Sequence, residues 1–149
     1  MSSPTVESMI ETNAPDDAVR GVRSTIRKFF DAMNRQDLEQ MVEITAHDPH
    51  MVHIGTDVGE IWRGWEHLHA DTIEQFDGLQ RYEATIRRLA IHTSENGDTA
   101  WYSHLLDAEI DSASGTQVWK GARFTGVLEK RGGDWKLVQT HVSLPESHA

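Results

Sequence analysis

The sequence predicts an α+β domain in which three helices cover the concave side of a curved antiparallel sheet. Apolar residues recur at three- and four-residue steps in the first half of the chain, and the period changes to two from Leu79 onward. Turn-forming pairs such as Gly132-Gly133 connect the later runs. Nothing between these runs supplies the repeated crossovers of a parallel sheet, which favours helices segregated from strands.

Three segments have the spacing of amphipathic helices. The first runs from Asp16 to Met33. Asp37 is expected to cap a second, short helix, with Gln40 in the capping-box position. The third helix begins at Gly64 and is closed by Gly78.

Strands fill the rest of the domain. Residues His50 to Gly55 are expected to form a short strand whose hairpin partner follows the Thr56-Asp57 turn. In the first long strand the alternation changes phase near Arg87-Arg88, which predicts a bulge. The Asn96-Gly97 turn leads into the next strand, and the pair joined by Gly132-Gly133 completes the sheet. Long bulged strands curl, so helices over the hollow side should enclose an apolar cavity.

Length and composition are typical of one soluble domain. We expect this domain over residues 16–144, between a mobile tail of residues 1–15 and a short tail of residues 145–149. No apolar run reaches membrane-spanning length, and the first residues lack the pattern of a secretory signal. The absence of cysteine fits a reducing, cytoplasmic location. A net charge of -10 disfavours binding to nucleic acid or to an anionic membrane.

The spacing of the polar residues disfavours several kinds of site. The nine histidines include no HExxH motif and no ligand pair on one helical face. A glycine-rich phosphate loop and a GxSxG elbow are also absent. The sequence therefore predicts no metal and no other cofactor.

Three stretches, taken in order, resemble one family. They are FFDAMNRQDLEQMVEI, HIGTDVGEIWRGWEHL and RFTGVLEKRGGDWKLVQTHVS, within residues 17–144. Together they resemble the nuclear transport factor 2-like superfold, and within it the SnoaL-like group related to polyketide cyclases and ketosteroid isomerases. The resemblance implies a cone-shaped half barrel with a ligand pocket at its open side and a homodimer formed through the outer sheet face. This fold hosts enzymes and non-catalytic binding modules alike.

The resemblance also suggests where a site would lie. By similarity to the ketosteroid isomerases, the oxyanion-binding tyrosine of those enzymes falls at Phe29 and their general-base aspartate falls at His53. Phe29 cannot donate a hydrogen bond, so that oxyanion hole is absent. His53 could still accept a proton near neutral pH. Steroid isomerisation by the usual residues of that family is therefore not expected.

His53, Arg123 and His141 are the candidate catalytic residues. Strict alternation places His141 on the same strand face as Trp135, where it could approach Arg123 across the hairpin. An inward arginine would bind a carboxylate or an enolate. The competing interpretations are buried histidines satisfied by protein groups and an outward arginine paired with a surface carboxylate, since Asp and Glu outnumber Lys and Arg 24 to 14.

Aromatic residues are the first group of candidate ligand contacts. Trp62 and Trp101 are expected to form pocket walls beside Phe29, although tryptophans also fill ordinary cores. His69 lies on the apolar stripe of the third helix, where a satisfied core histidine is the alternative.

Carboxylates are the second group. Asp107 shares its strand phase with Trp101, so it could face inward and pair with Arg123 or a histidine. Glu60 could orient His53, although a turn between short strands commonly carries solvated carboxylates.

Two functions fit these residues. One is a cofactor-independent isomerase, cyclase or lyase in which His53 or His141 moves a proton on a small carbonyl-bearing or aromatic substrate, while Arg123 stabilises the oxyanion. The other is a non-catalytic module that binds a small hydrophobic or carboxylate-bearing molecule. A perturbed histidine pKa in a closed pocket would favour the enzyme, and histidines saturated by protein partners would favour the module.

Overall fold

The computed structural model describes residues 10–146, which form three helices and one seven-stranded sheet. The helices are α1 (Asp16–Arg35), α2 (Leu38–Ile44) and α3 (Trp65–Gly78). The strands are β1 (Glu11–Thr12), β2 (Val52–Ile54), β3 (Ile61–Arg63), β4 (Leu79–Thr93), β5 (Thr99–Ser112), β6 (Gly115–Arg131) and β7 (Asp134–Ser143).

The sheet runs in the order β1-β4-β5-β6-β7-β2-β3. Strands β4 to β7 form an antiparallel meander, and the short hairpin β2-β3 attaches through a parallel contact between β2 and β7. The edges β1 and β3 do not meet, so the sheet stays open. The predicted α+β fold of three helices and a curved, unclosed antiparallel sheet is thus confirmed.

Parts of both predicted tails lie outside the described residues. Residues 1–9 and 147–149 lie outside the described residues. Glu11 and Thr12 form β1, which pairs in parallel with β4 and was not predicted. Among residues 10–146, no helix combines the length and the apolar composition needed to cross a membrane.

Helix α1 packs its apolar face on the concave side of the sheet. Val22, Ile26 and Phe30 recur every four residues and are buried against the sheet residues Leu106 and Leu128. On the same helix, the Thr25 hydroxyl donates to the Trp135 carbonyl at 2.9 Å, which connects α1 to the start of β7.

Helix α2 begins as the sequence predicts. The Asp37 carboxylate accepts the Gln40 backbone N–H at 3.0 Å, which satisfies one unpaired donor of the first turn. The side chain of Gln40 does not return to Asp37, because its amide donates to the Lys28 carbonyl at 2.9 Å. The amide thereby ties α2 to α1.

Register shifts interrupt the long antiparallel pairs. The predicted bulge in β4 is confirmed, because the register jumps between Arg87 and Ala90 and Arg88 adopts a φ of 57°. Three further register shifts were not predicted. One makes Gln80 the extra residue at the start of β4, one lies in β6, and one places Val138 as an extra residue in β7. Bulges bend a sheet, and each one exchanges which side chains face the helices.

Candidate functional site

A cavity of about 510 Å³ lies between the helices and the concave face of the sheet. All three helices contribute to it, together with the β2-β3 hairpin and strands β4 to β7. Its walls are mainly apolar, as in most small-molecule sites. The aromatic residues among them are Phe29, Trp62, Tyr82, Trp119 and Phe124.

His53 is the central histidine of this cavity. It sits at the middle of β2, paired with Trp62 on one side and Thr140 on the other, and is only 5% exposed. Its Nδ1 makes a short hydrogen bond with the Thr140 hydroxyl. Its Nε2 is buried and has no hydrogen-bond partner in the described chain. Burial lowers the pKa of His53 to about 4, so the imidazole is neutral near pH 7.

The bond to Thr140 decides what Nε2 can do. If Nδ1 carries the proton and donates to the hydroxyl oxygen, Nε2 presents a lone pair. If the hydroxyl donates to Nδ1, Nε2 carries the proton and is a donor. In both tautomers the buried Nε2 has no hydrogen-bond partner. This desolvated atom lowers the stability of the folded protein unless a ligand supplies a partner.

The polar residues around the cavity include carboxylates but no cation. Among its described lining residues are Asp57, Glu60 and Glu74, and none is Lys or Arg. One oxygen of Glu60 accepts the Asp57 backbone N–H at 2.9 Å. This carboxylate therefore stabilises the hairpin turn. The described lining of the cavity offers no positively charged side chain to an anionic ligand.

Four of the nine candidate residues line the cavity: Phe29, His53, Glu60 and Trp62. The indole N–H of Trp62 donates to Asp71 in α3, which fixes the ring against the wall. The structure thus brings together His53 and the two aromatic side chains, with Glu60 near the hairpin turn.

Arg123 and His141 lie on the outer face of the sheet and are exposed. Arg123 Nε donates to the Ser143 hydroxyl at 3.2 Å, and the strand neighbour of His141 is Thr125. The expectation that His141 shares the inner face with Trp135 is wrong, and Arg123 has the outward orientation that the sequence left open. The bulge at Val138 reverses the alternation in β7, so Thr140 and Val142 face inward.

Trp101 and Asp107 also lie on the outer face. Trp101 is 45% exposed and stacks with His92 at 6.3 Å between ring centroids, so it is not a wall of the cavity. Asp107 was expected to face inward and to pair with Arg123 or a histidine. Instead its carboxylate pairs with Arg87 at 2.9 Å, and this guanidinium holds the carboxyl pKa below its usual value.

His69 lies outside the cavity, at the start of α3. Its ring stacks on Trp65 at 4.9 Å between centroids, and His47 stacks at 4.0 Å. His69 does lie on a packed side of α3. At this point, however, the helix packs against α2 and the loop that follows it.

Sequence reasoning missed three residues that matter for the site. Thr140 holds His53, and Tyr82 and Trp119 form aromatic walls. Tyr82 belongs to the apolar phase of β4, which was a usable signal, whereas Thr140 and Trp119 depend on bulges. A second buried histidine, His104, has an unpartnered Nε2 like that of His53 but does not line the cavity.

His104 is a buried histidine of the core. It is 4% exposed, its Nδ1 lies 3.0 Å from the Leu105 carbonyl, and its Nε2 has no partner. Its ring stacks on Phe124 at 5.2 Å and on Tyr102 at 5.7 Å between centroids. Burial lowers its pKa to about 4. It does not line the cavity described above, so a ligand bound there would not contact its free nitrogen.

No group of three or more His, Asp or Glu side chains in residues 10–146 is arranged to hold a metal ion. The polar side chains that line the cavity include a neutral imidazole, hydroxyl groups and carboxylates.

A family model describing the SnoaL-like domain matches residues 22–147. The chain belongs to the SnoaL-like domain family. The match covers α1 from Val22 onward, α2, α3, the β2-β3 hairpin and the long meander, and so contains every cavity element. No curated protein matches the sequence.

Solved structures similar to this SnoaL-like protein share its fold. A nuclear transport factor 2-like superfamily protein from Salmonella enterica has a TM-score of 0.78 at 16% identity, covering 91% of this chain and 96% of its own. A protein of unknown function from Pseudomonas putida gives 0.73 at 19% identity, covering 89% and 90%. One with a cystatin-like fold from Caulobacter vibrioides gives 0.72 at 18%, covering 87% and 91%. These identities show the fold alone.

Proposed function

We propose that this SnoaL-like protein is a cofactor-independent isomerase, cyclase or lyase that moves a proton on a small neutral carbonyl compound, with His53 as the base. The observation that carries the proposal is the buried, unpartnered Nε2 of His53 at the wall of a largely apolar cavity. A perturbed titratable group in a cleft is a frequent mark of a functional site.

The proton transfer requires the tautomer in which Nδ1 donates to Thr140. Nε2 then accepts a proton from a carbon next to the substrate carbonyl, and the C–H electron pair moves toward the carbonyl oxygen. Returning the proton to another carbon gives isomerisation, whereas loss of a group from the β-carbon gives elimination. Tyr82 supports the oxyanion: burial raises its pKa, so its hydroxyl stays protonated, and it lines the cavity without a protein hydrogen-bond partner in the described chain.

The charge of the cavity supports a neutral substrate. Arg123 was the expected anchor for an anion, and it lies on the other face of the sheet. A carboxylate ligand would enter a site that has acidic groups and no described cation, at a large desolvation cost. The hydrophobic ligand of the sequence prediction is therefore retained, and the carboxylate-bearing one is not favoured.

A binding module without turnover is the second candidate, because the lowered pKa that marks His53 as a functional group also weakens it as a base. An imidazole with a pKa of about 4 is a weak base, so it can deprotonate only a carbon acid that is already activated, such as a β-diketone. As a hydrogen-bonding anchor the same neutral imidazole would serve well. A homodimer and a cytoplasmic location remain predictions from the sequence.

Ligand binding tests the cavity. Methyl naphthyl ketone and naphthoate have nearly the same shape, so titration by tryptophan fluorescence compares a neutral molecule with an anion. We expect the ketone to bind and naphthoate to bind at least about tenfold more weakly. If Nε2 carries the proton it donates to the ketone oxygen, and His53→Gln should weaken ketone binding about tenfold; if Nε2 presents its lone pair, the ketone loses no hydrogen bond there and its affinity should change little. His104→Gln is the matched control, because it replaces an equally buried histidine outside the cavity.

Deuterium exchange tests the chemistry. Exchange at the central carbon of benzoylacetone, followed by NMR above the buffer rate, should be accelerated by the protein and by His104→Gln but not by His53→Gln. If the protein binds the ketone but does not accelerate exchange, the enzyme proposal is wrong and the binding module is the better description. Equal behaviour of the two histidine variants in both assays would contradict the proposed role of His53.

A further inference from the structure

A second concave region adjoins the cavity. This outer groove has a volume of about 730 Å³ and lies between the last turns of α1 and strands β4, β5 and β6. Two residues, Tyr82 and Trp119, line both the groove and the inner cavity, and no other described residue does. We call this pair the partition.

A bulge in β6 places Trp119 in the partition. Strict alternation would put Trp119 on the outer face with Arg123, which is exposed. The register instead pairs Leu106 with Ala122 and Ala108 with Trp119, so that two residues of β6 lie opposite Asp107 alone. One of the two is Gly121, with a φ of 68° that favours glycine.

Asp107 holds this bulge from the neighbouring strand. Its Oδ1 accepts the Gly121 backbone N–H at 2.9 Å, and its carboxylate is itself held by Arg87. The residue that the sequence analysis expected inside the pocket is thus connected to the pocket indirectly, through the backbone turn that directs Trp119 inward.

The two members of the partition are held very differently. Tyr82 is 5% exposed and its ring stacks on Phe30 at 6.4 Å between centroids. Trp119 is only partly buried, and its indole N–H donates to the exposed Gln117 side chain at 3.2 Å. Its cross-strand neighbour is Ala108, which in turn pairs with Ala84. Two alanines beside the indole mean that removing it would leave open space.

From this arrangement we propose that Trp119 sets the length of the ligand that the inner cavity accepts. With the indole in place, a ligand is limited to the inner cavity and must be compact. Without it, the chain of a longer ligand would pass beneath Tyr82 into the outer groove. The inference rests on the proposed function only in that the inner cavity takes a neutral ketone; it does not depend on turnover.

A chain-length series tests the role of Trp119. Binding of methyl, pentyl and nonyl naphthyl ketones is measured for the wild type and for Trp119→Ala. We expect wild-type affinity to fall as the chain grows, and the nonyl-to-methyl affinity ratio to rise at least about tenfold in the variant. Trp119→Leu, which keeps an apolar side chain, should shift the ratio in the same direction and serves if the alanine variant does not fold. Trp101→Ala, an exposed tryptophan outside both concave regions, should leave the ratio unchanged.

Each result separates this inference from the proposed function. If the wild type binds methyl naphthyl ketone but the ratio is the same in the Trp119 variants, Trp119 does not limit length, and the proposed function stands. If no ketone binds to any protein, the proposed function fails and the inference fails with it.

Asp107 is the positioning residue in this account, and its variants probe the bulge. Asp107→Ala removes the acceptor for Gly121 and should raise the affinity ratio although Trp119 is intact. Asp107→Asn keeps an acceptor oxygen and should restore the wild-type ratio. Arg87→Ala removes the ion pair but leaves the acceptor, so it should behave as the wild type. A ratio that follows the ion pair rather than the acceptor would refute this role.

Discussion

At the scale of single residues, two histidines show that burial alone does not mark a functional group. His53 and His104 are both buried, both have an unpartnered Nε2, and burial lowers the pKa of each to about 4. They differ in surroundings, because His53 borders a cavity and His104 is enclosed by aromatic rings. Only an open volume next to the free nitrogen gives it something to bind.

Thr140 should control the tautomer of His53. In Thr140→Val the shape of the side chain is kept, but the buried Nδ1 loses its partner, which should lower the free energy of unfolding by about 1–3 kcal/mol. Nitrogen chemical shifts of the imidazole should then change from one defined tautomer to a mixture. Thr140→Ser retains the hydroxyl and should keep the wild-type shifts. Unchanged shifts in the valine variant would mean that another group orients the ring.

The sequence located His53 but not its partner, for a physical reason. His53 lies at the centre of a three-residue strand, which is too short to contain a bulge that would change its orientation. Thr140 lies two residues beyond the β7 bulge, and its inward orientation depends on Val138 being the extra residue. The expectation that His141 faces inward followed from assuming a regular strand.

At the scale of elements, bulges decide what can be predicted from the pattern of apolar residues. In β4 the phase change is visible in the sequence, because the apolar residues follow one phase before Arg87-Arg88 and the other phase after it. In β7 apolar residues occupy both phases, with Leu137 in one and Val138 and Val142 in the other, and only Val142 follows the bulge, so the shift leaves little signal. The elements and their order were therefore predictable, whereas the inner face of β6 and β7 was not.

Gly126 shows how closely neighbouring strands of this sheet pack. A Cβ at this position in β6 would overlap the ring of Tyr102 on β5, which is buried. Gly126→Ala should therefore lower the free energy of unfolding by about 1–3 kcal/mol, because an overpacked core must shift backbone or side chains. Urea unfolding measures the change. Gly59→Ala is the control, since a Cβ there meets no atom within 4 Å. Equal stability of the two variants would show that the ring moves aside freely.

At the scale of the whole molecule, stability should depend on acid through the two buried histidines. Both have a folded pKa of about 4, below the ordinary value of 6.5 that applies to the unfolded chain. The unfolded chain therefore binds more protons between these values. The free energy of unfolding is at its full value above about pH 6.5 and falls as the pH drops toward 4, by up to about 1.4 kcal/mol per pH unit for each histidine.

The carboxylates act in a different window, which makes the histidine contribution separable. Arg131 lowers the pKa of Asp48, and Arg81 lowers that of Asp111, so these groups lose their stabilising charge only at pH values below about 4. Urea unfolding from about pH 7 down to about pH 5 thus reports mainly on the histidines. The slope of stability against pH should fall by roughly half in His104→Gln, whatever its absolute stability, and by the rest when His53→Gln is added. An unchanged slope in the double variant would mean that other groups cause it, and it would contradict the lowered pKa of His53 and His104 in the folded protein.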